Sequence, residues 1–107
     1  MRSLKESILS TTKVGKFDEW NVFKKENAHP KNKVELKKII LQAIKLKGNK
    51  VDLNWIDVSN AGAMGWMFDN SKFNGDLSKW DVSKVEDMWN MFRNCPVKNN
   101  PPEWYKQ

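Results

Sequence analysis

Apolar residues in the second half of the chain fall into two blocks with the same spacing. Leu53, Ile56 and Val58 are followed by Ala61, Met64, Met67 and Phe68. Leu77, Trp80 and Val82 are followed by Val85, Met88, Met91 and Phe92. Residues 76–99 align on 52–75 without a gap, and nine of the 24 positions are identical, including Asp57/Asp81, Met67/Met91, Phe68/Phe92 and Asn70/Asn94. The same step places Trp104 under Trp80 and Ile56, so a third unit opens near Asn100. Each block begins Leu-x-x-φ-x-Val, the pattern of a leucine-rich-repeat strand segment. Alternation along a strand then turns Ile56, Val58, Trp80 and Val82 inward, and Trp55, Asp57, Lys79 and Asp81 outward. The second part of each block opens on Ser59 or Ser83. Ser83-x-x-Glu86 reads as a capping box, and the apolar residues after it recur at helical spacing. Asn74-Gly75 and Asn94-Cys95-Pro96 supply turns.

A different pattern precedes the repeats. Asn32-x-x-Glu35 is a helix start preceded by Pro30, and Gly48 is a helix stop. Between them Leu36, Ile39, Ile40, Ala43, Ile44 and Leu46 share one face. Val34 and Leu41 lie among the lysines of the other face, placed to pack under Phe17, Trp20, Val22 and Phe23. Ser3-x-x-Glu6 suggests a further short helix. Two repeat units are too few to bury their own faces without caps. The expected architecture is therefore one α/β domain: a short leucine-rich-repeat-like solenoid of about two strand-helix units, 52–75 and 76–99. An N-terminal extension (1–30), an amphipathic capping helix (31–48) and a partial C-terminal unit (100–107) complete it.

Charge divides the chain at the same place as the pattern. Residues 1–50 carry 13 basic and 5 acidic side chains, whereas residues 51–107 carry 6 and 8. Nearly all the basic groups are lysines, which read phosphates or bases less specifically than arginine. No apolar run approaches the roughly 18 residues of a membrane span, and Met1–Gly15 has no continuous apolar core of a signal peptide. With Cys95 as the lone cysteine, these features point to a cytoplasmic protein, or to a cell-surface one only if an export signal has been removed.

The strings Trp80-Asp81-Val82-Ser83-Lys84-Val85-Glu86-Asp87-Met88, Met91-Phe92 and Phe73-Asn74-Gly75-Asp76-Leu77 resemble the BspA-like surface-protein repeat of mycoplasmas and other low-GC bacteria. That repeat typically reads W-D-V-S-N-V-T-D-M-x-x-M-F followed by F-N-x-D-L. The resemblance covers about residues 31–100. It implies a leucine-rich-repeat-like solenoid and protein or surface binding, and it supplies no catalytic residues.

Little in the chain suggests catalysis. The single histidine, His29, sits beside Pro30, and neither a phosphate-binding glycine loop nor a zinc-type Cys/His cluster occurs. No cofactor, metal, membrane or small-molecule substrate is expected. Asp57 and Asp81 occupy equivalent places, which suits either a cation or basic-partner site or two carboxylates that accept backbone amides at a turn. Six tryptophans are more suggestive, because tryptophan is enriched at binding hot spots. Trp80 and Trp104 read as core. Trp55, Trp66 and Trp89 read as exposed, or as packed under the N-terminal segment. The main expectation is a non-catalytic protein-interaction module that binds another protein through Trp55, Asp57, Trp66, Lys79, Asp81 and Trp89. One alternative is a phage-encoded inhibitor of a bacterial defence nuclease, like an anti-CRISPR protein, acting through the basic half. The other is nucleic-acid or acidic-surface contact through Lys33, Lys37, Lys38 and Lys45.

Overall fold

The computed structural model describes residues 18–105. The helix suggested at Ser3-x-x-Glu6 and the side chain of Phe17 lie outside that range. Helix α1 spans Glu19–Asn27 and starts where the Asp18 carboxylate accepts the Asn21 amide. Helix α2 spans Lys33–Lys47. Its first turn is closed at both sides, since Asn32 Oδ1 accepts the Glu35 amide and Glu35 Oε1 accepts the Lys31 amide, each at 2.9 Å. Gly48 ends it at φ 92°, a conformation other residues adopt at a cost. Leu36, Ile39, Ile40 and Ala43 face the core. A 3₁₀ turn, Pro96–Asn99, is the remaining regular element.

The expected α/β solenoid does not form. Among the described residues no strand is present, only an isolated parallel bridge between Ala63 and Asp87, and neither 24-residue unit contains an α-helix. The regular elements of the described residues are all helical, so these residues form a small all-helical globule whose second half is built of turns. Backbone geometry explains the error. Trp66, Asn70, Asn90 and Asn94 have φ of 65°, 58°, 51° and 54°. A left-handed residue at every fourth place stops any α-helix from propagating. Aspartates at the front of the loops also take the backbone amides two residues ahead, as Asp57 does for Ser59 and Asp87 for Trp89, each at 3.0 Å. Such side-chain bonds compete with helix initiation.

The turns are ordered by hydrogen bonds between the two units. The amides of Met64, Trp66, Phe68 and Asn70 donate to the carbonyls of Asp87, Trp89, Met91 and Arg93 at 2.6–2.9 Å. Odd-numbered residues bond backwards within their own loop: Met67 to Met64, Asp69 to Trp66 and Ser71 to Phe68. The second unit repeats this with Met91 to Met88, Arg93 to Asn90 and Cys95 to Phe92. Side chains follow the same register. Phe68 stacks on Phe92 at 5.5 Å, and Asn94 Nδ2 donates to Asn70 Oδ1 at 2.8 Å. The Trp80 indole donates to Leu53 O, and the Trp104 indole donates to Leu77 O, both at 2.8 Å. One core runs from α2 through both units, with Leu36, Leu53, Met64, Phe73 and Met91 fully buried.

Gly75 lies where this packing leaves no space. A Cβ there would overlap the Val51 carbonyl oxygen and fall 2.8 Å from the Phe73 ring. Gly75→Ala is expected to lower unfolding stability by about 1–3 kcal/mol, the usual cost of overpacking. Equilibrium urea unfolding measures it, and an unchanged midpoint would contradict the packing described.

Candidate interaction face

Loops 65–70 and 89–94 lie side by side and present the most exposed aromatic surface of the described chain. Trp66 and Trp89 are 49% and 67% exposed. The Trp66 amide bonds the Trp89 carbonyl at 2.9 Å, so the ladder fixes the two backbones together. Arg93 lies 5.0 Å from the centre of the Trp66 ring. It also grips Asp69 with two bonds, Nε at 2.7 Å and Nη2 at 3.1 Å. That fork holds the Asp69 carboxyl below the ordinary carboxylate range and raises the guanidinium further. Asp69 and Arg93 are 24 residues apart, so the pair is another contact between equivalent positions.

Trp66 is the odd member of its set. Its counterpart in the second unit is Asn90, and the other two left-handed places hold asparagine. Asparagine tolerates this region, whereas a bulky side chain is an outlier there. A strained, exposed tryptophan is the kind of feature that points to function.

The two faces of the ladder differ in polarity. On the side of the first unit, the carbonyls that the ladder leaves over include those of the buried Gly65 and Met67. They take the ammoniums of Lys33, at 2.8 Å, and Lys37. Burial pushes the Lys37 ammonium below its usual range, with Asp69 partly countering it. On the side of the second unit, the amides of Met88, Asn90, Phe92 and Asn94 have no acceptor among the described residues. Their counterparts, Met64, Trp66, Phe68 and Asn70, all do. The stack is therefore capped by lysines at one end, whereas at the other the amides of half-buried Met88 and of exposed Asn90 and Asn94 lack acceptors among the described residues and that of Phe92 is buried.

The remaining sequence candidates lie elsewhere. Trp55 is half-buried under α1, edge-on to Trp20 at 5.7 Å and to Phe23 at 5.9 Å, with its indole bonded to the Asp52 carbonyl. Asp57 and Asp81 accept the Ser59 and Ser83 amides. The Ser59 amide and then its hydroxyl hold the Asp57 carboxyl below the ordinary range, and the Ser83 hydroxyl and then its amide do so for Asp81. His29 Nδ1 adds a contact to Asp57 at 3.3 Å. The side chain of Lys79 is exposed, and its amide donates to Asn54 Oδ1. Lys33 and Lys37 are committed to the cap, whereas Lys38 and Lys45 stand exposed on α2. Val34 and Leu41 are 64% and 53% exposed. Cys95 is buried, bonds the Phe73 carbonyl and is raised in pKa by that burial. The candidates thus separate into a Trp66–Trp89 face, a Trp55 cluster and two turn-capping aspartates. Sequence reasoning missed Arg93, Asp69 and the open donor edge, although the 24-residue step links the first two.

Comparison with protein families gives one match. The model of DUF285, a Mycoplasma protein of unknown function, covers residues 9–106. The chain belongs to this family. Neither the curated proteins nor the solved structures give a significant match. No described helix is long and apolar enough to cross a membrane.

The strain at Trp66 has a measurable consequence. Relief of a left-handed bulky residue is on the order of 1–2 kcal/mol, more than the roughly 0.5–1 kcal/mol of an exposed cation–π contact. Trp66→Asn, which copies the second unit, is expected to raise the urea midpoint. A lower midpoint would show that Trp66 is there for stability.

Proposed function

We propose that the chain is a non-catalytic protein-interaction module whose binding face is the open edge at residues 88–94 with Trp66, Trp89 and Arg93 beside it. The observation that carries this reading is the row of amides at 88, 90 and 94, with that of buried Phe92 between them, for which no acceptor is present among the described residues. Inside the protein, the equivalent row is satisfied by carbonyls at alternate residues of a parallel neighbour. An extended segment of a partner that offers carbonyls at the same spacing would meet it in the same way, as in recognition by strand addition. Exposed tryptophan and arginine next to such an edge supply the side-chain anchors that main-chain bonding lacks.

A second copy of this chain is a poor occupant. Its matching acceptors, Gly65 O and Met67 O, already hold the Lys33 and Lys37 ammoniums. This lysine cap keeps copies from stacking head to tail, a known device for protecting backbone edges. The likeness of Trp80–Met88 to the BspA-like surface repeat points to the same general class, binding without catalysis.

Trp89→Ala and Trp66→Asn, separately and together, test the reading on a partner isolated by affinity purification with the full chain. Each single change is expected to weaken binding at least tenfold, about 1.4 kcal/mol, while circular dichroism stays unchanged. Undiminished binding by the double variant would remove this face from the function.

A further inference from the structure

A second site lies away from this edge, where α1 and the end of α2 meet the entry to the first unit. It is a cleft of about 330 Å³ lined by Trp20, Trp55, Val51, Lys24, Lys47 and Lys50, with Asp52 at its margin. That volume is at the lower end of small-ligand pockets, about 300–1,000 Å³. Three features give it a definite chemistry.

The first is convergence of like charge. Lys24 follows Trp20 by one turn of α1, and Lys47 is the last residue of α2. Both ammoniums stand 5.6 Å from the centre of the Trp20 ring. Lys50 adds a third positive group to the wall. None of the three is ion-paired among the described residues. The one carboxylate at the margin, Asp52, accepts the Asn54 amide at 2.8 Å. Three ammoniums against one carboxylate leave the cleft with a net positive charge that favours an anionic ligand.

The second is a fixed aromatic wall. Phe23 stacks on Trp20 at 5.6 Å, and Trp55 meets both rings edge-on. The Trp55 indole is tied to the Asp52 carbonyl, so its plane is set before any ligand arrives. The third is the charge of the surroundings: the excess of lysines in residues 1–50 attracts polyanions from a distance.

We infer that this cleft binds single-stranded nucleic acid, with phosphates held by Lys24, Lys47 and Lys50 and a base packed against the indole wall. Lysines along a backbone track with aromatic platforms are the general means of gripping single strands without sequence preference. An acidic peptide would satisfy the ammoniums and leave the indoles without a planar partner. This site does not include Lys33 and Lys37, whose ammoniums are bonded to backbone carbonyls.

The test is titration of the full chain with a ten-residue oligothymidylate, followed by the indole N–H resonances in a two-dimensional NMR spectrum. At low salt the Trp20 and Trp55 signals are expected to move together and saturate, while Trp89 stays in place. Three phosphate contacts on a single strand give a slope of log affinity against log salt of about −2. Lys24→Ala with Lys47→Ala should weaken binding at least tenfold with the spectrum otherwise retained, whereas Lys38→Ala with Lys45→Ala should leave it within twofold. The inference is overturned if Trp20 and Trp55 do not move at low salt, if the two double variants lose affinity equally, or if polyglutamate displaces the oligonucleotide at equal charge concentration. Because the open edge and Trp89 take no part, either outcome leaves the interaction-module reading to its own test.

Discussion

The second half of this protein depends on where four amides point. Met64, Trp66, Phe68 and Asn70 each donate to a carbonyl 23 residues later in the chain. Between them, the odd-numbered amides close tight turns within their own loop. This division of labour fixes the loop geometry, because a residue whose amide turns sideways cannot also continue a helix. It needs a left-handed residue every four positions, which the chain supplies as Trp66 and Asn70, then Asn90 and Asn94. It also places equivalent side chains on one another, so Phe68 meets Phe92, Asn70 meets Asn94 and Asp69 meets Arg93. The apolar core closes around a scaffold whose register is set by backbone bonds.

Such a ladder has two chemically different ends, and the structure treats them differently. At the acceptor end, α2 lies with its apolar face in the core and two of its lysines on the Gly65 and Met67 carbonyls. The fall in the Lys37 pKa records the burial that this contact requires. At the donor end the aromatic column continues, with Trp104 near Trp80 and Phe92 and with Tyr105 on Phe92. The amides of 88, 90, 92 and 94 gain no acceptors from it. Among the described residues the apolar side of the last unit is covered, while this row of its edge stays unpaired. That asymmetry is why the interaction reading rests on this edge.

Helix α2 was legible from sequence because its signals are local. Asn32, Glu35 and Gly48 mark its ends, and Leu36 to Ala43 give its stripe. The 24-residue period was equally plain, since identity at Met67/Met91 or Phe68/Phe92 survives any conformation. What each unit becomes was not legible. Apolar residues at 64, 67 and 68 have helical spacing, but alternating tight turns bring the same positions to one side. The deciding information is non-local: the amide of 66 goes to the carbonyl of 89. Asparagine at 70, 90 and 94 was a local hint of left-handed turns, and Trp66 concealed it at the fourth place. The candidate site divides in the same way. Trp66 and Trp89 stood out because they fall off the apolar stripe. Strand alternation turns Trp55 outward, and of the two readings open for it, exposure or packing under the N-terminal segment, the structure has the second, with α1 folded over it. Nothing in residues 52–58 announces that covering helix.

Amide hydrogen exchange in the free protein tests the central claim most directly. If the ladder orders the fold, the amides of Met64, Trp66, Phe68 and Asn70 exchange slowly, while those of Met88, Asn90 and Asn94 exchange near the rate of an open chain. Equal protection of the two sets, or unbroken helix-like protection along residues 61–70, would contradict it.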